Sequence, residues 1–298
     1  MRKKLTAVLL AATMLLTSGV TVFAARVDAV IDKPYLALGA DLSPQEQMTV
    51  LSLLGLSDIN VDDYDIISIT NADEHEYLDK YLDASIIGTR ALSSVLVVGK
   101  EAGNGIHVTT KNISYCTEGM YRNALLTAGI EDADITVAGP FSISGTAALV
   151  GAIKAYETMT GEEIDDENLD AANDELVLTG KLVEDIGDSE KAEDLMALVK
   201  QEVAENKLTS AEDIQNVVDQ ACDQLDIQLS EENQKQIAEL MKKIEGLDLD
   251  VDKLKDQAKD LYQKLEDLDF HVDKESVGNF FTRIIDAIVN FFQGLFGK

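Results

Sequence analysis

Short apolar runs separate helical patterns in the first half of the chain. Four runs are rich in β-branched residues and bounded by Gly, Asn or Asp, which is typical of strands. They cover residues 66–70, 91–98, 106–110 and 135–138. Residues 100–105 link the second run to the third through two glycines and an asparagine, and this link predicts a β-hairpin.

One helix is predicted before these runs and another between the last two of them. Ser43 is suited to cap the first, Pro44 fits its first position, and Glu46 completes a capping box. Gly55 provides the stop at its carboxyl end. The spacing of apolar residues predicts a buried face made of Met48, Leu51 and Leu54. The second helix is predicted over residues 118–128 and also ends at a glycine.

Strand patterns nearly stop after Gly161, and acidic amphipathic helices follow. Residues 209–212, Thr-Ser-Ala-Glu, predict a capping box at the start of one helix, and Ser230 is expected to cap the next. Their predicted buried positions are Ile214, Val217, Val218, Ala221, Cys222 and Leu225, then Ile237, Leu240, Met241 and Ile244. A heptad-like pattern over residues 251–268 is short, which favours packing within a helical bundle over a free coiled coil.

The change of pattern predicts the fold class and the domains. We expect an α+β protein with an N-terminal mixed α/β domain over residues 26–160. An acidic helical bundle over residues 161–272 follows, and a C-terminal amphipathic helix occupies residues 274–298. The chain is long enough for two ordinary domains.

The C-terminal helix has an unusually wide apolar face. Five of the eight Phe residues lie in it. Such a face predicts contact with a membrane surface or a protein groove. The predicted contact residues are Phe280, Phe281, Ile284, Ile288, Phe291, Phe292 and Leu295. Arg283, Asp286 and Asn290 argue against a membrane-spanning helix. The alternative is that this helix folds back into the core of the bundle.

The first residues have the pattern of a secretory signal peptide. A basic start is followed by an uncharged apolar run over residues 5–16 and by small residues at the cleavage position. We predict a signal peptide over residues 1–24, cleaved after Ala24 or Ala25. The alternative, an uncleaved anchor, is disfavoured because a spanning helix needs roughly 20 apolar residues. The protein is therefore expected outside the cell or in the cell envelope.

Acidic side chains dominate the composition. The chain has 25 basic and 55 acidic side chains and a formal net charge of −30. Loss of Arg2, Lys3 and Lys4 with the signal peptide leaves 22 basic side chains and a net charge of −33. Such a charge repels phosphate backbones, so nucleic acid is excluded as a partner. The predicted partner is a membrane surface or an envelope protein, contacted through the C-terminal helix.

The two cysteines, Cys116 and Cys222, lie more than a hundred residues apart. An exported protein can form a disulfide between such positions. Cys222, however, lies on the apolar face of a predicted helix, where a free thiol packs as a small apolar side chain. We therefore favour two free thiols over a disulfide.

No catalytic motif is complete. Residues 141–145, Phe-Ser-Ile-Ser-Gly, come nearest to a nucleophile elbow but lack the first glycine, and they predict a helix that begins at Ser144. His107 and Cys116 are the one candidate thiol–imidazole pair, although both fall in fold-forming runs. Phosphate-binding loops and zinc motifs are absent from the sequence. No catalytic, cofactor-binding or metal-binding residue is assigned.

Two acidic stretches begin like calcium-binding loops, at Asp58 and at Asp248. Each lacks the glycine at the sixth loop position and the glutamate at the twelfth that an EF-hand requires. We expect weak calcium association and no cofactor.

A series of motifs resembles the YpuA-like family of secreted Gram-positive bacterial proteins, a domain of unknown function. The motifs are Gly105-Ile106-His107-Val108-Thr109, Asn112-Ile113, Met120-Tyr121-Arg122-Asn123-Ala124-Leu125, Ala128-Gly129-Ile130, Val137-Ala138-Gly139-Pro140, Gly145-Thr146-Ala147-Ala148-Leu149 and Lys154-Ala155-Tyr156-Glu157. The resemblance extends over roughly residues 27–268. It implies a location at the envelope or outside the cell and supplies no catalytic residue.

These observations favour a non-enzymatic, envelope-associated interaction or structural protein. One alternative is a cell-envelope hydrolase that uses carboxylates from distant positions. It predicts a concave site with paired acids of raised pKa in the α/β domain. The other alternative is a calcium-responsive binding module.

Overall fold

The computed structural model of the chain describes residues 33–57, 60–161, 163–247 and 249–255. The predicted signal peptide and the predicted C-terminal helix lie outside these residues. Within them the chain folds as α+β, which confirms the predicted class. No helix in these ranges has the length and apolar composition needed to cross a membrane. The division into domains stays a prediction.

Five strands form one mixed sheet. They are β1 (Tyr35–Gly39), β2 (Asp65–Ile69), β3 (Ser94–Gly99), β4 (Ile106–Ile113) and β5 (Ala133–Ile143). Their spatial order is β2-β1-β3-β5-β4. β1 pairs in parallel with β2, β4 pairs in parallel with β5, and β3 is antiparallel to both of its neighbours. Four strands therefore run in one direction, and their carboxyl ends meet at one edge of the sheet.

The predicted hairpin between β3 and β4 is wrong. β5 lies between these strands and pairs with both of them. After β4 the chain passes through a helix and then forms β5, which lies beside β4 and runs parallel to it. Ile135 and Val137 of β5 are buried in the core. Residues 100–105 therefore cross about 10 Å, two strand spacings, instead of closing a tight turn. β1 was not predicted, because its five residues contain no β-branched side chain.

The helices of the first half are α1 (Pro44–Leu53), α2 (Asn71–Leu78), α3 (Ala84–Ile87), α4 (Glu118–Thr127) and α5 (Thr146–Thr160), with a 3₁₀ turn at Val61–Asp63. Four helices follow: α6 (Asp166–Ile186), α7 (Ser189–Asn206), α8 (Ala211–Gln224) and α9 (Glu231–Glu245). A further helical stretch begins at residues 251–255.

The predicted helix caps are largely confirmed. Ser43 and Glu46 form the capping box of α1, and Ser230 caps α9. The cap of α8 lies one residue later than predicted, since Ser210 accepts a hydrogen bond from the main-chain N–H of Asp213. The predicted buried face of α1 is wrong in part. Leu54 is buried as predicted and Leu51 is half-buried, but Met48 is 58% exposed because α1 packs on the sheet through Val50 instead.

Alternate residues of the strands face two different layers. Ala37, Val95 and Val137 face the larger core, which α4 and α5 cover. Leu36 and Ala138 face the opposite side and pack against α1. This period of two follows from the pleat of a strand, which points successive side chains to opposite faces. α5 lies close to the sheet, since a Cβ on Gly151 would be only 2.8 Å from the Cβ of Ala37.

A second core lies among α6, α7, α8 and α9. The predicted positions of α8 and α9 are buried in it, Cys222 and Met241 included. Cys116 lies in the first core, and both thiols are free, as predicted. α6 belongs to both cores. Its Ala172 and Leu176 pack in the first, and its Leu182 packs in the second.

A buried ion pair joins three helices. Lys200 of α7 and Glu175 of α6 are both fully buried, and Lys200 Nζ lies 2.9 Å from Glu175 Oε1. Lys200 Nζ also donates to the main-chain oxygen of Asn123 at 2.9 Å and to Thr127 Oγ1 at 3.1 Å, both on α4. The Thr127 hydroxyl donates to Glu175 Oε2. Burial lowers the pKa of Lys200, and attraction to Glu175 opposes this shift.

A second buried carboxyl lies near the end of α7. Glu202 is 2% exposed, and its Oε2 accepts a hydrogen bond from Asn206 Nδ2 at 2.9 Å. Its Oε1 has no hydrogen-bond partner among the described residues. Burial, and then repulsion from Glu205, raise the pKa of Glu202 to about 8, although Asn206 and Lys255 oppose the shift.

Glu202 is expected to make stability depend on pH. Its proton is bound more tightly in the folded protein than in the unfolded chain, so stability falls as pH rises from about 4.5 to about 8. The slope from one such group is at most about 1.4 kcal/mol per pH unit. Glu202→Gln should flatten the free energy of unfolding between pH 6 and pH 7, measured by urea denaturation. Glu184→Gln, at an exposed carboxyl of α6, should not. Equal slopes in the Glu202→Gln variant and the parent would contradict this assignment.

Candidate functional site

A cleft of about 450 Å³ opens where the parallel strands end. α2 follows β2 and brings Glu74 to the cleft. Ser144 and Thr146 follow β5, and Ser114 and Tyr115 follow β4. Open sheets with helices on both faces place ligands outside the carboxyl ends of their strands, where the connections diverge. We call this the Glu74 cleft.

Glu74 is the buried carboxyl of the cleft. Its side chain lies in the first turn of α2 and is 1% exposed. Thr146 Oγ1 donates to Glu74 Oε1 at 2.7 Å, and Asn71 Nδ2 donates to Oε2 at 3.2 Å. Burial raises the pKa of Glu74, and the hydrogen bonds from Thr146 and Asn71 oppose this shift. The carboxyl therefore keeps its proton to a higher pH than an exposed glutamate does.

A chain of hydroxyls leads from Glu74 toward the strand end. Ser144 Oγ lies 3.2 Å from Thr146 Oγ1, which bonds to Glu74. Ser93, from the segment before β3, accepts the main-chain N–H of Ala148 at 2.9 Å and so caps α5 from outside the helix. We call Ser144, Thr146 and Glu74 the hydroxyl–carboxyl relay.

Gly145 fixes the course of the backbone at this point. Its φ is +102°, in a region that side chains other than glycine rarely adopt. A Cβ there would lie 2.6 Å from the Tyr121 hydroxyl and 2.8 Å from Ile113 Cγ2. The Tyr121 hydroxyl donates to the Gly145 carbonyl at 2.6 Å. A buried tyrosine therefore holds the turn that positions Ser144 and Thr146.

The rim of the cleft combines a paired charge with aromatic rings. Arg90 Nη2 donates to the main-chain oxygen of Asp41 at 2.8 Å and to Glu46 Oε2 at 2.9 Å. Hydrogen bonds from Ser43, and then from Arg90, lower the pKa of Glu46 to about 2. The Phe141 side chain is 49% exposed. Tyr115 is half-buried and lies against Gly180 of α6.

A larger cleft of about 760 Å³ lies between α2, α6 and the end of α9. Lys243 Nζ contacts Asp170 and Asp174 at 2.7 Å each, and the Tyr81 hydroxyl donates to Asp170. These four side chains are thus bonded to one another where the helices meet. Among the described residues, no group of three or more His, Cys, Asp and Glu is arranged to hold a metal ion. Asp58 and Asp248, where the predicted calcium loops begin, lie outside them.

Comparison with known proteins assigns the chain to a protein family. The family model described as "Protein of unknown function (DUF1002)" matches residues 38–261. The chain belongs to the DUF1002 family. It is 39% identical over 271 residues to the uncharacterized protein YpuA of Bacillus subtilis strain 168, which covers 89% of this chain and 92% of YpuA. The resemblance to YpuA-like proteins is thereby confirmed. No solved structure matches the chain.

The structure does not bring together the candidate residues that the sequence of this DUF1002 protein suggested. His107 is exposed near the start of β4, whereas Cys116 is buried beyond its end, so the two do not form a pair. Six extended residues already separate them by about 20 Å along β4. Ser144 precedes α5, which begins at Thr146, two residues later than predicted. The predicted contact residues from Phe280 to Leu295 lie outside the described residues.

Sequence reasoning missed the main residues of the cleft. Glu74 lies in a polar stretch of α2 that has no motif, and the sequence contains many similar acids. The available signal was the run from β5 through Ser144 and Gly145 into α5, a strand–turn–helix junction. That junction indicates a site only when the order and direction of the strands are known.

Proposed function

We propose that this DUF1002 protein is exported and acts at the cell envelope as a non-enzymatic binding protein, with the Glu74 cleft as its ligand site. The main support for a binding role is that the cleft lies at the carboxyl ends of β2, β4 and β5. A few convergent polar groups within apolar walls are the composition of a site that orients a small ligand. The hydroxyl–carboxyl relay and the exposed Phe141 ring supply that composition.

The two ends of the sequence support export and retention. The basic and apolar pattern over residues 1–24 is that of a cleaved signal peptide. The wide apolar face over residues 274–298 is suited to hold the exported protein at a membrane surface or on an envelope protein. In this proposal the acidic helical bundle over residues 161–272 keeps the exported protein soluble.

One observation favours the alternative of an envelope hydrolase. Glu74 has a raised pKa inside a cleft, as a general acid requires. Acid–base hydrolysis by carboxylates needs a second carboxyl close to the first. Among the described residues that line the cleft, Glu74 is the only carboxyl. A binding role is therefore preferred.

Liposome flotation tests the proposed attachment. We expect the exported chain to float with liposomes, and a variant that lacks residues 276–298 to remain in the soluble fraction. The physical reason is the loss of the aromatic face that would enter the interface. A matched variant, in which Phe280, Phe281, Phe291 and Phe292 are changed to Gln, keeps the chain length and should also remain soluble. If the full exported chain fails to float, attachment to the membrane is excluded, and capture on immobilised envelope proteins tests the partner form.

A further inference from the structure

The charge of the Glu74 cleft limits the ligands it can accept. Among the described lining residues, one carboxyl and one guanidinium are present, from Glu74 and Arg90. Arg90 is already paired with Glu46 at 2.9 Å, and both oxygens of the Glu74 carboxyl already accept hydrogen bonds, from Thr146 and Asn71. The cleft therefore offers no unpaired cation to an anionic ligand, and its one carboxyl is already hydrogen-bonded within the protein. The net charge of −30 on the chain further disfavours polyanions.

The remaining groups of the cleft are suited to a ligand with many hydroxyls. Ser144 and Thr146 hydroxyls both donate and accept, and they lie 3.2 Å apart in line with the Glu74 carboxyl. Ser85 and Ser114 add two more hydroxyls to the walls. Ser144 is half-buried, and Ser85 and Ser114 are exposed, so covering their hydroxyls costs free energy unless the ligand bonds to them. A hydroxyl-rich ligand meets this requirement at each of these accessible hydroxyls.

The aromatic rim provides a flat apolar surface beside the hydroxyls. Phe141 is one of three large apolar side chains that are exposed in the described part of the chain, and it is the one that lines this cleft. The C–H face of a sugar ring stacks on an aromatic ring through apolar contact, while its hydroxyls point outward in the ring plane. The cleft volume of about 450 Å³ falls within the range of small-ligand sites.

We propose that the Glu74 cleft binds a short, uncharged oligosaccharide, with one sugar ring stacked on Phe141 and a sugar hydroxyl bonded to Ser144, the accessible end of the hydroxyl–carboxyl relay. This inference rests on the proposed binding function and names its ligand class. The oligosaccharide would be a segment of an envelope glycan, because that is the hydroxyl-rich polymer an exported protein meets.

The absence of tryptophan from the chain permits a direct test. Phe141→Trp places a single reporter on the rim of the cleft, and titration with chitotriose is expected to give a saturable change in tryptophan emission. Ile66→Trp is the matched control, since Ile66 is an exposed apolar residue near the amino end of β2, away from the strand ends that form the cleft. Its emission should not change with chitotriose.

Two further substitutions in the Phe141→Trp protein locate the sugar on the relay. Ser144→Ala and Thr146→Val each remove one hydroxyl and should weaken chitotriose binding at least tenfold. Thr146 is buried, so its variant requires a check of thermal stability, whereas Ser144 is half-buried and its loss should leave folding intact. Unchanged affinity in Ser144→Ala would overturn the assigned contacts.

The ligand class and the envelope role fail in different ways. No emission change with chitotriose, cellotriose or maltotriose at millimolar concentration would overturn the oligosaccharide proposal. A saturable response to a neutral Gly-Ser hexapeptide with none to the sugars would also overturn it, in favour of a peptide site. Co-sedimentation with purified cell-wall sacculi, measured separately, reports on the envelope role. Sedimentation without a sugar response would leave that role standing. A sugar response with no sedimentation, no flotation and no capture on immobilised envelope proteins would remove it.

Discussion

Replacement of Lys200 by methionine is expected to lower the free energy of unfolding by about 3–5 kcal/mol. The substitution leaves the Glu175 carboxyl fully buried without its cation, and it removes the hydrogen bonds from Lys200 to α4. A buried charge without a partner is among the most destabilising changes a core can undergo. Urea denaturation followed by circular dichroism measures the loss. Lys181→Met, at an exposed lysine of α6, should change stability by less than about 0.5 kcal/mol.

A double variant separates the cost of an orphaned charge from the value of the pair. Lys200→Met combined with Glu175→Met removes both charges and keeps an apolar volume in the core. It should recover most of the stability lost by Lys200→Met, because an apolar pair often matches or exceeds a buried ion pair. The Thr127 hydroxyl then turns to the carbonyl of Asn123, one helical turn earlier on α4. A double variant that is as unstable as the single one would show that the ion pair itself stabilises the junction of α4, α6 and α7.

Substitution of Gly145 by alanine is expected to destabilise the protein by about 3 kcal/mol, the second-largest effect. The residue would have to adopt a φ of +102°, and its Cβ would approach the Tyr121 hydroxyl to 2.6 Å. Relief of that contact moves the turn that carries Ser144 and Thr146. Thermal denaturation measures the stability, and the chitotriose titration of the Phe141→Trp protein should lose its response at the same time.

Gly187→Ala provides the matched control. Gly187 also has a positive φ, +75°, but a Cβ there meets nothing within 4 Å. Gly187→Ala should therefore lower the free energy of unfolding by only about 1–2 kcal/mol, because alanine disfavours a positive φ. Equal losses at Gly145 and Gly187 would contradict the view that contact with Tyr121 shapes the cleft.

Local chemistry made part of this fold predictable. Ser43, Ser230 and the apolar stripe of α8 were found because capping and helical spacing depend on residues three or four positions apart. The hairpin prediction failed because β5, some thirty residues away in sequence, pairs between β3 and β4. Such pairing depends on which strand buries both faces best, and no short window of sequence contains that comparison.

The candidate site was less predictable than the fold for the same reason. Glu74 and Thr146 are 72 residues apart and form a hydrogen bond because β2 and β5 end at the same edge of the sheet. Lys200 has the sequence context of an ordinary solvent-exposed lysine, and its burial depends on Glu175 and α4 lying opposite to it. A sequence pattern predicts which face of a helix is buried, but it does not identify the side chains that pack against that face.

The membership of α6 in both cores also bears on how the chain can be divided. Ala172 and Leu176 close the first core, and Leu182, less than two turns later, packs in the second. A fragment that ends at residue 161 would lack α6 and would expose part of the first core to water. A fragment that begins at residue 161 would leave Ala172 and Leu176 of α6 without the core in which they pack. Cutting the chain at residue 161, or grafting either half onto another protein there, is therefore expected to expose apolar side chains in both halves.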